Sequence, residues 1–224
     1  MAIADNVAAV EAAIEKNKAL ANRQDQVTLV GVTKYHTVAE AQQVVAAGVK
    51  NVAENRPEGL AEKQAAFADH KDLVWHFIGT LQRRKVKQVI NEIDYFHALD
   101  RRSLAQEIQK RALKPIKCFV EVNVSGEASK SGLQLTDVAP FIQSLAEFDR
   151  IQVVGLMTMA PIDADAAALH GYFKSLREKR DEIKALGLAW APCQELSMGM
   201  THDYEIAVQE GATFVRVGTR LFEA

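Results

Sequence analysis

Apolar residues follow two alternating patterns along this chain. Short runs rich in valine and leucine are apolar at nearly every position, and longer segments repeat apolar residues every three or four positions. The first pattern is typical of buried strands and the second of amphipathic helices. The runs predict strands at 28–34, 51–55, 73–79, 95–100, 117–125, 151–159, 195–200 and 214–218. The repeats predict helices at 3–22, 38–48, 57–68, 82–91, 102–112, 136–148 (with Thr136 as its cap), 164–186, 203–210 and 219–223.

Strict alternation of strand and helix indicates a parallel sheet. Eight such units in about 200 residues match a compact α/β fold, the (β/α)₈ TIM barrel, here with an extra N-terminal helix at 3–22. A doubly wound open sheet is the structural alternative. Because no segment rich in proline, glycine or serine divides the chain, we expect a single domain over 1–224, with its barrel at 27–222.

Composition narrows the class of protein. The 27 basic and 29 acidic side chains leave a net charge of −2, so no overall positive field attracts nucleic acid or an acidic membrane. The first residues lack the pattern of a signal peptide, and no apolar stretch approaches the roughly 20 residues of a membrane span. Two cysteines in no metal or redox spacing fit a reducing cytoplasm. No large exposed apolar stripe demands a dimer, so a monomer is expected.

Lys34 closes the first predicted strand, in the run Leu29–Lys34. At such a strand end, apolar walls meet the mouth of a site, where desolvation favours the neutral amine. A neutral amine is a nucleophile toward carbonyls and can hold an aldehyde as a Schiff base. The alternative is a lysine whose stem packs along apolar surface while its amine stays in water.

The turns after the last two strands indicate an anion site. Ser197 and Gly199 stand at the end of the seventh strand, and Gly218 and Thr219 at the end of the eighth. Glycine lets backbone N–H groups approach an anion, a hydroxyl donates a further bond, and phosphate in such barrels is often held by these two loops. Each glycine alone is also consistent with an ordinary turn, but the pair on neighbouring strands favours a phosphate site.

Three other side chains are candidates for the same barrel face. Strand alternation points Arg216 into the barrel if Val215 and Val217 pack against helices. A buried guanidinium needs a carboxylate, a phosphate or a polar ring, and Glu195 or Glu54 would supply an ion pair. Asn55 closes the second strand, whereas His76 in the third is equally consistent with a core histidine. Lys130 in the loop 126–132 is expected in solvent or over the mouth of the site. Six histidines in no HxH or HxxxH spacing give no support for a metal.

Seven short motifs occur in the same order as in the pyridoxal-phosphate (PLP) homeostasis proteins, a family that resembles a lone alanine-racemase-type barrel. They are VGVTK, AEN, WHFIG, VNVS with SKSG, GLMTM, LSMGMTHD and VRVGT. The resemblance runs from about residue 27 to residue 222. Two departures stand in the second motif, where Ala53 replaces the glycine of the family's GEN and Arg56 the tyrosine that follows.

This resemblance implies PLP as cofactor, held as a Schiff base on Lys34. Arg216 would face the pyridine nitrogen and keep it unprotonated, and Asn55 would lie beside the ring. His76 falls in the family's WHFIG strand. The phosphate would be surrounded by Ser197, Gly199, Met200, Gly218 and Thr219.

The resemblance also implies a role in intracellular PLP homeostasis, with delivery of the cofactor to apo-enzymes and no reaction of the protein's own. Related racemases carry an additional domain that supplies a second acid/base, for which 224 residues leave no room after the eighth strand. A racemase without it would be feeble, since such groups contribute roughly 10²–10⁴-fold each. No residue is therefore expected to be catalytic. The alternatives are a PLP-dependent amino-acid racemase or decarboxylase and, less favoured, a Schiff-base aldolase acting on a phosphorylated sugar.

Overall fold

A computed structural model describes residues 2–127 and 130–223, and in it eight parallel strands close into a barrel. Two residues of the predicted loop 126–132 and both ends of the predicted domain 1–224 lie outside the described residues. The strands are β1 Thr28–Val32, β2 Asn51–Glu54, β3 Val74–Phe77, β4 Tyr95–Leu99, β5 Ile116–Glu121, β6 Ile151–Met157, β7 Glu195–Ser197 and β8 Phe214–Val217. The helices are α1 Ile3–Leu20, α2 Val38–Ala46, α3 Pro57–Ala66, α4 Val86–Val89, α5 Arg102–Arg111, α6 Val138–Gln143, α7 Ala166–Ala185, α8 Tyr204–Gln209 and α9 Thr219–Phe222.

Closure of the sheet decides between the two architectures that the alternation allowed. Each strand pairs in parallel with the next along the chain, and β8 pairs with β1, with Thr28 opposite Phe214 and Gly31 opposite Val217. An open doubly wound sheet would leave two edge strands. The predicted (β/α)₈ barrel is therefore confirmed, and so is the N-terminal helix that precedes it.

Several strands end earlier than predicted at the side where the candidate residues stand. β1 ends at Val32, two residues before Lys34, and β7 ends at Ser197. β5 ends at Glu121; Val122 N still donates to Met157 O of β6 at 2.8 Å, but Asn123 N donates to Leu133 O of the returning loop at 2.8 Å. The chain thus leaves the ladder before the predicted strands end.

The prediction for Thr136 was wrong. It lies inside a 3-10 turn at Leu135–Asp137, and α6 begins only at Val138 and ends at Gln143. A threonine inside a helical turn has no extended backbone from which to cap the following N–H groups.

Two buried asparagines on α1 hold this helix against the last helices of the barrel. The amide of Asn6 donates to Leu221 O at 3.2 Å and to Glu223 O at 2.7 Å. Asn17 accepts from Gln209 Nε2 at 2.6 Å and donates to Glu205 Oε2 at 3.2 Å. Because buried amides need partners, these hydrogen bonds fix the position of α1 against α8 and α9.

Aromatic side chains from four strands fill the barrel interior beneath its carboxyl-terminal mouth. The ring of His76 stacks on Tyr95 with centroids 4.7 Å apart, and that of His97 stacks on Phe119 at 4.5 Å. Phe214 packs edge-on against Phe119 at 5.3 Å. These rings form one packed layer inside the barrel. Within residues 2–127 and 130–223, no helix has the length and apolar character that crossing a membrane requires.

Candidate functional site

A cavity of about 440 Å³ opens at the carboxyl ends of β1, β6, β7 and β8. One side is apolar, with Ile78, Met157 and Leu169 among its residues. Five of the nine predicted site residues line the cavity: Lys34, Met200, Arg216, Gly218 and Thr219. The polar residues of the lining that were not predicted are Tyr35, His36, Thr201, His202 and Asp203.

Lys34 is half-buried in the cavity wall, two residues beyond the end of β1. Its Nζ lies 5.6 Å from the ring centroid of Tyr35, whose backbone has φ = 69°. Positive φ is strained for a bulky residue and is common where a site demands an unusual turn. The surroundings of the exposed Tyr35 phenol lower its pKa. The hydrogen bond from the Asn55 amide has the largest effect, and the charges of Arg56 and Lys34 add to it.

Thr33 anchors the turn that carries Lys34. Its hydroxyl donates to Glu54 Oε1 at 2.7 Å, and its backbone N–H donates to Ala53 O at 3.1 Å. Glu54 also forms an ion pair with Lys63 of α3, Nζ to Oε1 at 3.6 Å, with both side chains 3% exposed. The residue just before Lys34 is thus tied to β2 and, through it, to α3.

Arg216 reaches the cavity from β8 and is 4% exposed. Nη1 donates to Ser197 Oγ at 2.6 Å, and Nη2 donates to Thr158 O at 2.9 Å. Burial lowers the pKa of Arg216 to about 10, against the opposing effect of Asp203 and Glu121. At that value the guanidinium stays charged at neutral pH.

The ion pair considered for Arg216 with Glu54 or Glu195 is wrong: in the described residues, neither carboxylate bonds to it. Glu54 points away from the barrel interior toward Lys63. Neutral acceptors hold the guanidinium instead, so its charge is not cancelled by a direct partner.

Ser197, which was predicted beside the phosphate, lies outside the cavity lining. It is fully buried, and its Oγ lies 2.6 Å from Arg216 Nη1 and 2.8 Å from His97 Nδ1. A serine hydroxyl has one hydrogen, and both of its close partners lie inside the barrel. Thr201, four residues later, brings a hydroxyl residue to the cavity wall instead.

Gly199 also stays out of the cavity lining and shapes the turn from β7 into α8. Its φ is +94°, and a Cβ there would lie 2.6 Å from the Cβ of Ala207. The conformation and the close helix both require glycine. Asp203 closes the same turn, because its Oδ1 accepts from Met200 N at 2.5 Å.

The two remaining predicted residues lie outside the cavity lining. Asn55 is half-buried at the rim, where its amide donates to the Tyr35 hydroxyl at 3.5 Å. Its carbonyl lies so close to Gly79 that a Cβ there would be 2.2 Å away. His76 sits in the aromatic layer with no exposed surface, as a core histidine would.

Thr201, Tyr35 and His97 were missed from the sequence. Thr201 could have been predicted, because its hydroxyl stands close to Gly199 on the same loop as Ser197. Tyr35 and His97 carry no motif, since their positions depend on the turn after β1 and on barrel closure. Among the described residues, no three histidine, cysteine, aspartate or glutamate side chains cluster as a metal site.

We expect Glu121→Gln to stabilise the protein at pH 8 but hardly at pH 5. Glu121 is 3% exposed, and burial, reinforced by Asp100, raises its pKa to about 7. The folded carboxyl therefore holds its proton more tightly than the unfolded one. Its contribution is fully present below about pH 4 and is lost as pH rises through about 7. Glutamine stays neutral, so urea unfolding should show a gain of about 1–3 kcal/mol at pH 8. Equal gains at both pH values would contradict this.

Comparison with known proteins identifies the family. The model described as the alanine racemase N-terminal domain matches residues 6–224. A pyridoxal phosphate homeostasis protein of Aquifex aeolicus is 40% identical over 197 residues, covering 87% of this chain and 85% of that protein. This chain belongs to the pyridoxal phosphate homeostasis protein family. The Pseudomonas aeruginosa member is 37% identical over 99% of this chain and 95% of its own.

Solved structures agree with that family membership. PipY of Synechococcus elongatus, solved with PLP bound, has a TM-score of 0.86 and 30% identity, covering 99% of this chain and all of PipY. Alanine racemase from Corynebacterium glutamicum has a TM-score of 0.74 at 14% identity, and this chain covers 61% of it. The second likeness shows only that the homeostasis protein and the racemase share the barrel fold.

Proposed function

We propose that this homeostasis protein holds PLP at the barrel mouth through Lys34 and releases it again, without a reaction of its own. The observation that carries the proposal is the single cavity lined by an amine, a buried guanidinium and two threonines: Lys34, Arg216, Thr201 and Thr219. Family membership and the PLP-bound PipY support the choice of cofactor.

Each part of PLP has a matching group in this cavity. The aldehyde of PLP condenses reversibly with amines, and Lys34 offers one half-buried in the wall. Thr201 and Thr219 offer hydroxyls for the phosphate on two neighbouring loops. Arg216 has five N–H donors, and a donor that stays charged suits an unprotonated ring nitrogen. The apolar wall around Met157 and Leu169 suits the ring faces.

The open mouth of the cavity suits a protein that holds PLP and releases it again. Tyr35 and Ile162, which line it, are 76% and 91% exposed. An amine from solvent or from another protein can therefore approach Lys34 without a change of fold. We propose delivery to apo-enzymes by this route, from a monomer in the cytoplasm, where the buried thiols of Cys118 and Cys193 stay reduced.

Borohydride reduction followed by peptide mapping tests the proposal. Apoprotein incubated with PLP and reduced should carry one pyridoxyl group on the peptide that contains Lys34. Lys87, an exposed lysine on α4, is the reference for nonspecific labelling and should stay unlabelled at equimolar PLP. Labelling spread over surface lysines, or none at all, would overturn the proposal. Turnover of an amino acid that depends on Lys34 would favour the racemase or decarboxylase alternative.

We expect Thr201→Val and Thr219→Val each to weaken PLP binding by about 10- to 150-fold. Each removes a hydrogen bond to a charged group, worth about 1.5–3 kcal/mol. Titration with pyridoxal, which lacks the phosphate, is the matched measurement, and there both variants should equal the wild type. Thr136→Val, on an exposed turn, is the control. Equal losses with pyridoxal and PLP would show that the threonines do not contact the phosphate.

A further inference from the structure

A chain of hydrogen-bonded side chains crosses the barrel interior from the cavity wall toward its opposite end. Arg216 Nη1 lies 2.6 Å from Ser197 Oγ, which lies 2.8 Å from His97 Nδ1. His97 Nε2 lies 2.8 Å from His76 Nδ1, and His76 Nε2 lies 2.9 Å from Asn51 Oδ1. Four of these residues are buried, and Asn51, at the start of β2, is partly exposed. We call these five residues the buried chain.

With Asn51 Oδ1 facing His76 and both rings neutral, one placement of the protons satisfies every hydrogen bond of the buried chain. The direction of the bonds is set at the Asn51 end, because the carbonyl oxygen there can only accept. A guanidinium can only donate, so Ser197 Oγ accepts from Arg216, and its own hydrogen is free to go to His97 Nδ1. His97 must then carry its proton on Nε2 and donate it to His76 Nδ1. The proton of His76 is likewise on Nε2, facing the carbonyl oxygen of Asn51, which can only accept. The acceptor at Asn51 therefore sets the same tautomer in both rings. Ser197, which can accept from Arg216 while it donates to His97, is compatible with that tautomer.

Both imidazoles are neutral in this arrangement. Burial lowers the pKa of His76 to about 3, with a smaller effect from the charge of Lys117. Burial also lowers the pKa of His97 well below its ordinary value, and His76 and Arg216 add to this. Arg216 is then the one cation of the buried chain, and every acceptor in it is oriented toward that cation. Hydrogen bonds aligned in this way polarise and strengthen one another.

Packing alone does not require histidines here. His76 and His97 stack on Tyr95 and Phe119 with near-parallel rings, an arrangement that phenylalanine also provides. Burying two imidazoles has a free-energy cost unless their nitrogens are bonded. The described structure leaves no buried side-chain nitrogen or oxygen without a partner. What the two histidines add beyond ring packing is the directed bond to Ser197 and, through it, to Arg216.

We propose that His97 and His76 are positioning residues that hold Arg216 in its orientation at the PLP ring. The inference rests on the proposed function for the identity of the ligand. The hydrogen of Ser197 is donated to His97, so a lone pair of Ser197 Oγ faces Arg216. The guanidinium is then held between Ser197 Oγ and Thr158 O, and its other donors stay available to the cavity. Arg216 touches the ligand in this proposal, and the histidines act only through it.

The first test uses the apoprotein, so it is independent of PLP. Nitrogen-15 NMR of the two buried imidazoles should show both rings neutral, with the proton on Nε2. A doubly protonated ring, or a proton on Nδ1 in either one, would overturn the proposal. A wild-type protein that shows these tautomers and still fails to bind PLP would instead count against the proposed function.

The second test asks whether the buried chain acts at the ring nitrogen. His97→Phe keeps the stack and removes both bonds, and we expect it to weaken PLP about tenfold, the scale of one hydrogen bond. Binding of a PLP analogue with carbon in place of the ring nitrogen should not change. Phe96→Leu, a neighbour that faces the helices, is the control for lost packing and should leave PLP affinity unaltered.

Two further variants complete the second test. His97→Gln, whose amide can both accept and donate, should bind PLP more tightly than His97→Phe and have a visible spectrum nearer the wild type. Ser197→Ala breaks the chain at the end near Arg216 and should show the same selective loss, which keeps the test open if His97→Phe does not fold. Wild-type affinity and spectrum in Ser197→Ala, or equal losses for both ligands, would overturn the proposal.

Discussion

Replacing Lys34 with alanine will abolish covalent attachment of PLP while the barrel stays folded. Lys34 supplies the amine in the cavity and lies beyond the last ladder position of β1. Because it is only half-buried, its removal should change the free energy of unfolding by no more than about 0.5 kcal/mol. Apoprotein of the variant should lack the visible band on addition of PLP, and mass spectrometry after borohydride reduction should show no pyridoxyl group.

The same variant separates covalent from noncovalent binding. If Thr201 and Thr219 hold the phosphate, Lys34→Ala should still bind PLP weakly, and inorganic phosphate should compete. Lys87→Ala, which removes an exposed amine outside the cavity lining, should be labelled like the wild type. A covalent label that persists in Lys34→Ala would place the attachment at another lysine, and the proposed site would then be wrong.

Replacing Lys63 with methionine will destabilise the protein by about 3–5 kcal/mol, the cost of leaving a buried carboxylate without its partner. Lys63 and Glu54 are each 3% exposed, and their charged groups lie 3.6 Å apart beneath α3. Without the ammonium, the hydroxyl of Thr33 at 2.7 Å is the polar side-chain partner that Glu54 keeps among the described residues. The loss corresponds to a fall of roughly 6–20 °C in the midpoint of thermal unfolding.

Two further variants test whether the loss of stability in Lys63→Met comes from the unpaired charge of Glu54. Adding Glu54→Gln to Lys63→Met removes the unpaired charge and keeps the acceptor for Thr33, so most of the stability should return. Lys50→Met breaks an exposed ion pair with Asp72 and should cost about 1 kcal/mol or less. If Lys63→Met costs no more than Lys50→Met, the buried pair contributes nothing, and Thr33 holds the turn before Lys34 unaided.

The ends of the strands show where local pattern stops being informative. The predicted strands continue to Lys34 and Met200, beyond the last ladder residues. In the structure β1 and β7 stop at Val32 and Ser197, and the chain then turns at Tyr35 and Gly199 with φ of 69° and 94°. The glycine could have warned of a turn, but the tyrosine could not, because strain at a bulky residue is imposed by its surroundings.

By itself, the sequence determined the barrel, the strand-end lysine, the two loops with glycine and hydroxyl residues, and the inward direction of Arg216. These follow from periodicities of two and 3.6 residues and from chain order, which are local properties. Tertiary structure alone decided that Ser197 faces the barrel interior while Thr201 lines the cavity. It also decided that His76 belongs to the buried chain. The physical reason is distance along the chain: His97 and Ser197 are 100 residues apart and meet only when eight strands close. Which of two nearby hydroxyls a ligand meets therefore depends on partners that no local pattern contains.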